Sequence, residues 1–167
     1  MAAALRTATE SLLLVANSVD ATDWLPGVRA VRDSRAERGS LVGIHTALSV
    51  SSVSGEDVLV VAWDMPFVTP ALLRLLREKL TPSVYAAVPE TSELQPFCAA
   101  YSRRCLPIIE AAIDAGELRV SALVDALPVV RRIGTSELAR VGDPDRLFYN
   151  VNSPADLARA EAMARGG

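Results

Sequence analysis

Asp64 is the side chain in this sequence best placed to do chemistry. It closes the most apolar run of the chain, Glu56 to Trp63 (EDVLVVAW), and Pro66 limits how the backbone leaves. A carboxylate at such a strand exit is a hard oxygen donor suited to Mg²⁺, which usually takes one or two carboxylates together with substrate phosphates. The plainer alternative is a carboxylate that only bonds backbone amides. Gly39-Ser40-Leu41-Val42-Gly43 is the second candidate. Glycines at a helix entry let a ligand approach the backbone, and the amides there can receive an anion or a base edge. The same pattern also serves a tight turn with close helix–sheet packing. Asn150 and Asn152 straddle Val151. On an extended segment residues two apart point to one side, so two amides that each donate and accept face the same way while Val151 packs inward; a loop cap ahead of the next helix is the alternative.

These residues sit where an α/β sheet would gather them. Ser11 to Asn17 (SLLLVAN) and Glu56 to Trp63 are continuous apolar stretches of strand length, the pattern of strands covered on both faces. Val84 to Val88, Val129 to Ile133 and the short Val28 to Val31 are further strand candidates. Between them lie helices with legible ends. Thr69-Pro70 opens one, Cys105 to Ala115 another stopped by Gly116, and Ser153-Pro154-Ala155-Asp156 the last. Leu41 to Ser49 reads as a helix entered through Gly39 and Ser40. The segment Glu93 to Tyr101 breaks the rhythm, and PFCAAY within it predicts an antiparallel hairpin or edge strand that makes the sheet mixed. The fold class is therefore α/β, three-layered, with the whole of 1–167 as one domain. In such sheets the ligand site lies beyond the carboxyl ends of the parallel strands. Ser18-Val19-Asp20, Arg32-Asp33 and Asp64-Met65-Pro66 follow three of these strands and Asn150-Val151-Asn152 precedes the last helix, so four polar ends are expected to converge on one rim.

Composition narrows the function. The chain has 167 residues, half of them hydrophobic, and a net charge of −3. That is ample apolar material for a core, and the acidic balance argues against a nucleic-acid binder that works through a basic face. Every basic residue but Lys79 is an arginine, so a mechanism needing a lysine on a phosphate has one candidate. Cys98 and Cys105 lack the spacing of a disulfide staple or zinc site and read as reduced thiols. His45 is the only histidine, read here as a surface or groove residue, which leaves no Ser/His/Asp or Cys/His nucleophile. Leu12 to Ala16 is far too short to span a bilayer, so a soluble cytoplasmic protein with no membrane partner is expected.

Read in order, these residues resemble the molybdenum cofactor guanylyltransferase family, MobA-like nucleotidyltransferases. The run is LLLVAN, VRDS at Val31 to Ser34, GSLVGIHTAL, VLVVAWDMPFVTPALLRLL, PFCAAYSRRCLPIIEAAIDAG and FYNVNSPADLARAE. The resemblance covers nearly the whole chain. It implies a Rossmann-like fold with a mixed, mainly parallel sheet that binds GTP with Mg²⁺, transfers GMP to molybdopterin and releases pyrophosphate. On that resemblance Asp64 holds the metal, while Asn17, Asp33, Gly39, Leu41 and Gly43 line the nucleotide side. Asn150 and Asn152 face the pterin and, with Asp64, count as catalytic. A non-catalytic nucleotide- or partner-binding relative, and a cytidylyltransferase-like enzyme, are the other readings. A homo-oligomer or a molybdoenzyme-maturation partner is also compatible.

Two departures stand out. Ser40 replaces the family's usual Pro, and the family's opening strand and Leu-Ala-Gly-Gly loop, with its Arg and Lys, find no counterpart in MAAALRTATE, which resembles the end of a first helix. Lys79 lies on the wrong helix to substitute. In the family that strand sits between those matching Leu12 to Ala16 and Val58 to Ala62, so here the two must pair directly or expose edges. A start upstream of Met1, favoured here, a degenerate relative, or a strand from a partner chain would each account for this.

Overall fold

The computed structural model describes residues 1–52 and 57–166. In chain order the elements are α1 (Ala2–Ala8), β1 (Leu13–Val15), α2 (Ala21–Trp24), β2 (Arg29–Val31), α3 (Ser40–Ser52), β3 (Val58–Val61), α4 (Pro70–Lys79), β4 (Ala86–Pro89) and β5 (Cys98–Tyr101). A 3-10 turn at Arg103–Cys105 then leads into α5 (Leu106–Asp114), followed by α6 (Val120–Ala126), β6 (Val130–Ile133), α7 (Thr135–Leu138), α8 (Pro144–Leu147) and α9 (Pro154–Arg165). The helix starts are those the capping chemistry predicts. The Thr69 side chain accepts from the Leu72 amide with Pro70 in the first turn, and Ser153 accepts from the Asp156 amide with Pro154 in the first turn. The apolar run expected from Glu56 enters the described residues only at 57, since Glu56 lies outside them.

β3, β5, β4 and β6 form one sheet in that order. β5 is antiparallel to both neighbours and β4 is parallel to β6, so β3, β4 and β6 all point one way. The PFCAAY segment is thus the second arm of an antiparallel hairpin with β4, as expected, and not an edge strand: it lies in the interior, between β3 and β4. Its composition explains the placement. Cys98, Ala99, Ala100 and Tyr101 are all buried, and a strand with no polar face has no stable position at an edge. Side chains alternate between two cores, as the pleat requires. Val58, Val60, Ala86, Val88, Ala99 and Tyr101 pack with α3, α5 and α6, whereas Leu59, Val61, Ala87, Cys98 and Ala100 pack with α1, α4, α7 and α8. Helices on both faces of a mixed sheet make this a three-layer, Rossmann-like α/β fold.

β1 and β2 form a separate two-stranded parallel sheet. β1 therefore does not pair with β3, although α3 packs against both strands. Of the two outcomes open to these apolar strands, exposed edges is the one realised. Continuous burial, expected of both, is accordingly incomplete. β1 and β3 are half-buried throughout, in contrast to β4 and β5, which are paired on both sides and buried at every residue.

The thiols behave as expected: Cys98 and Cys105 are both free and buried, and burial pushes each up to about 12. The open edge makes a sharper prediction. The Ala62 amide donates to the Phe97 carbonyl, so by the two-residue period the Val60 amide faces β5, while those of Leu59 and Val61 face the open edge. In native-state hydrogen exchange, Leu59 and Val61 should exchange at least about tenfold faster than Val60. Equal protection at the three positions would mean that the β3 edge is covered.

Candidate active site

Two clusters occupy the carboxyl rim of the strands. The first lies beyond β1 and β2. The Asn17 Nδ2 donates to Asp33 Oδ2 at 2.7 Å and Asn17 Oδ1 accepts from the Asp33 amide at 3.0 Å. This two-point clasp joins the ends of both strands and opens onto a cavity of about 530 Å³ whose lining includes Asn17, Arg32, Asp33, Arg35, Arg38 and Gly39. Its arginines are not equivalent. Arg35 is held by Glu37 at 3.0 Å and by Asp114, and these carboxylates raise its guanidinium well above the ordinary range. Arg32 and Arg38 are exposed and make no ion pair among the described residues, so two cations at this mouth are free for an anionic ligand. Sequence reasoning passes over both, because arginine is too common in the chain to stand out.

The glycine loop forms one wall. A Cβ on Gly39 would stand 3.2 Å from the Leu118 Cβ, so that glycine serves close packing, while one on Gly43 would lie 4.0 Å from Asp33 Oδ1. Leu41 brings no side chain to the site. It is wholly buried in the core beside α5, and only its backbone can meet a ligand. His45 is not a surface or groove residue either: it is buried, with 6% of its surface exposed. Its Nδ1 lies 3.0 Å from Ser34 Oγ and its Nε2 3.5 Å from Glu110 Oε1. Ser34 also bonds Thr46 through its amide at 2.9 Å. The histidine that looks solitary in sequence therefore fastens the turn after β2 to α3, and thereby positions Asp33.

The second cluster lies beyond β3. The Val151 amide donates to the Asp64 main-chain carbonyl at 2.9 Å, which ties the Asn150–Asn152 segment to the backbone of the residue the sequence points to. Asp64 Oδ1 is buried with no hydrogen-bond partner among the described residues. An orphaned carboxylate oxygen is costly, and the backbone-amide alternative for Asp64 fails at this atom. The donor set fits a hard divalent cation completed by substrate oxygens. No group of three or more His, Cys, Asp or Glu side chains stands ready to hold a metal among the described residues, so Asp64 would act as a lone protein carboxylate. Asn150 and Asn152 are exposed. Their side-chain amides have no protein partner among the described residues, since the cap of α9 is made by Ser153 and Asp156, with the Asn152 amide donating to Asp156 Oδ2. Val151 is half-buried.

The rim thus gathers Asn17 with Asp33, and Asp64 with Asn150–Asn152, but no hydrogen bond or ion pair joins the two groups among the described residues. Next to the second group, Trp63 stacks on Trp24 of α2 with ring centroids 5.9 Å apart. The sequence signal for Trp63 is its position directly before Asp64. Lys79 is remote from this chemistry, being paired with Glu137 at 3.1 Å.

A mixed α/β sheet with an acidic donor at its carboxyl rim serves many reactions, and comparison with known proteins makes the class specific. Residues 1–130 match the model of the MobA-like NTP transferase domain. The chain is 34% identical over 165 residues to the molybdenum cofactor guanylyltransferase of Desulfosudis oleivorans, covering 97% of this chain and 79% of that protein. It is 37% identical over 155 residues to a probable molybdenum cofactor guanylyltransferase of Pelotomaculum thermopropionicum, covering 91% and 73%. Among solved structures, molybdopterin-guanine dinucleotide biosynthesis protein A from Archaeoglobus fulgidus superposes with a TM-score of 0.78 at 26% identity, over 93% of this chain and 79% of that one. The chain belongs to the MobA-like nucleotidyltransferase family. No helix among the described residues is long and apolar enough to cross a membrane.

The orphaned oxygen predicts an unusual stability result. Asp64→Asn replaces a carboxylate by a neutral group that is cheaper to bury. In metal-free buffer its urea midpoint should equal or exceed the wild-type value. A loss of more than about 1 kcal/mol would show that the carboxylate has a structural partner.

Proposed function

We propose that this chain, acting as one nucleotidyltransferase-like domain, transfers GMP from GTP to the phosphate of a molybdopterin-type acceptor. An acceptor phosphate oxygen attacks the α-phosphorus of GTP, the bond from that phosphorus to the bridging oxygen breaks, and pyrophosphate leaves. Catalysis of this kind is largely positioning and charge stabilisation. The nucleoside would lie in the cavity of Asn17, Asp33 and Gly39, against the backbone of Leu41 to Gly43. Asn17 and Asp33, clasped to each other, present fixed polar atoms to it, and the free guanidiniums of Arg32 and Arg38 favour an anion at the mouth. Asn150 and Asn152 would orient the acceptor. Mg²⁺ held by Asp64 would neutralise phosphate charge there. The observation that carries the reading is the unpartnered Asp64 Oδ1, held next to the asparagine segment by the Val151 amide.

Calorimetry with GTP and Mg²⁺, paired with a pyrophosphate-release assay containing the acceptor, tests it. Wild type should bind GTP at least about tenfold more tightly than Asp64→Ala, with the difference vanishing when the metal is removed. CTP and ATP should raise the melting temperature less than GTP does. Equal GTP binding by wild type and Asp64→Ala would overturn the metal site. Nucleotide binding without pyrophosphate release would point to a non-catalytic relative, and a larger shift with CTP to a cytidylyltransferase.

A further inference from the structure

The chain has only two tryptophans, and they stack on each other at the rim with an interplanar angle of 25°. Trp63 is 75% exposed and Trp24 44%. Large apolar rings left in water at this level are unusual away from a binding surface. Their position adds meaning. Trp24 ends α2, the helix that follows β1, and Trp63 stands between Ala62, whose amide is bonded to Phe97, and Asp64. Trp63 therefore stands at the carboxyl end of β3, where α/β sheets bind ligands, and Trp24 reaches it from the β1–β2 connection.

We propose that Trp63, backed by Trp24, is the stacking surface for the pterin ring of the acceptor. This rests on the guanylyltransferase reading above and assigns a residue to its acceptor side. A flat heterocycle with an amide-like edge needs an aromatic face and a set of donors and acceptors. Trp63 supplies the face. Asn150 and Asn152 supply the edge: their amides are exposed and unpartnered among the described residues, and the Val151 bond to Asp64 keeps them next to the residue adjoining Trp63. The guanine base has a separate place, since the cavity of Asn17, Asp33 and Gly39 lies beyond β1 and β2. Trp24 fixes the tilt of the Trp63 ring by covering one of its faces and leaves the other for ligand.

Pterin-6-carboxylate is a suitable probe, because anisotropy of its own fluorescence reports binding without relying on tryptophan emission. Trp63→Ala should weaken its binding by about five- to a hundredfold, the range of aromatic–heterocycle stacking. Trp63→Phe should retain most of the affinity, and Trp24→Ala should give a smaller loss. Affinity for Mg²⁺–GTP, measured by calorimetry on the same variants, should stay within about twofold. The exposure of Trp63 means the variants should fold, which their melting temperatures will register. Unchanged pterin affinity in Trp63→Ala overturns the proposal, as does a loss confined to GTP or equal for both ligands. If Mg²⁺–GTP binding depends on Asp64 while pterin binding ignores Trp63, the platform fails and the transferase reading stands. Trp63-dependent pterin binding without any GTP binding would keep the platform and remove the transferase reading, and a wild type that binds neither ligand removes both.

Discussion

A single backbone hydrogen bond organises the chemistry of this molecule. The Val151 amide reaches back to the Asp64 carbonyl and joins two segments far apart in sequence, the exit of β3 and the approach to α9. Without it the carboxylate would be an isolated acid on a turn, and Asn150 and Asn152 would belong to a loop with no reason to face it. With it, the residue whose buried carboxylate oxygen has no protein partner among the described residues is tied to a segment that carries two exposed asparagines. Desolvating an acceptor without replacing its bonds opposes folding, so the arrangement is costly in the resting protein and becomes favourable only when a cation or a ligand arrives. That is the pattern expected where stability has been traded for function.

The remainder of the fold supports this rim from two directions. The interior of the four-stranded sheet is rigid, with β4 and β5 buried on both faces, and it sets the position of β3 and hence of Asp64. The β1–β2 pair is attached more loosely. It meets the larger sheet through α3 rather than through strand pairing, and the Ser34–His45–Glu110 contacts pin its exit to α3 and α5. Asn17 and Asp33, which we propose face the nucleotide, are thus positioned relative to each other by their own clasp, and the strands that carry them meet the larger sheet through a helix. The stacked tryptophans join α2, in the β1–β2 connection, to the exit of β3 directly, side chain to side chain.

Much of this is legible in the residues. Thr69-Pro70 and Ser153-Pro154 mark helix starts because capping is a local interaction. Val58 to Val61 reads as a strand because an apolar run of that length has little else to do between helices. Asp64 stands out because a carboxylate at the end of such a strand must find either a partner or a ligand. Three features are not legible, each because it depends on contacts distant in sequence. PFCAAY is legible as one arm of an antiparallel hairpin, but not its interior place, since nothing local says that β5 also pairs with β3. His45 reads as solvent-facing because Ser34 and Glu110 lie on other segments. Leu41 stands between Gly39 and Gly43 in sequence, yet it lies in the first turn of α3, whose geometry turns its side chain into the core, where it is wholly buried.

Manganese offers the most direct test of the metal site, since Mn²⁺ takes the same oxygen ligands as Mg²⁺ and its electron paramagnetic resonance separates bound from free ion. Titrated in the presence of GTP, the wild-type protein should bind one Mn²⁺ per chain, and Asp64→Asn should leave the ion partitioned as it is with GTP alone. An Asp64→Asn protein that retains the bound manganese would contradict this assignment, because the cation would then be held elsewhere and the orphaned oxygen would have no ligand to explain it.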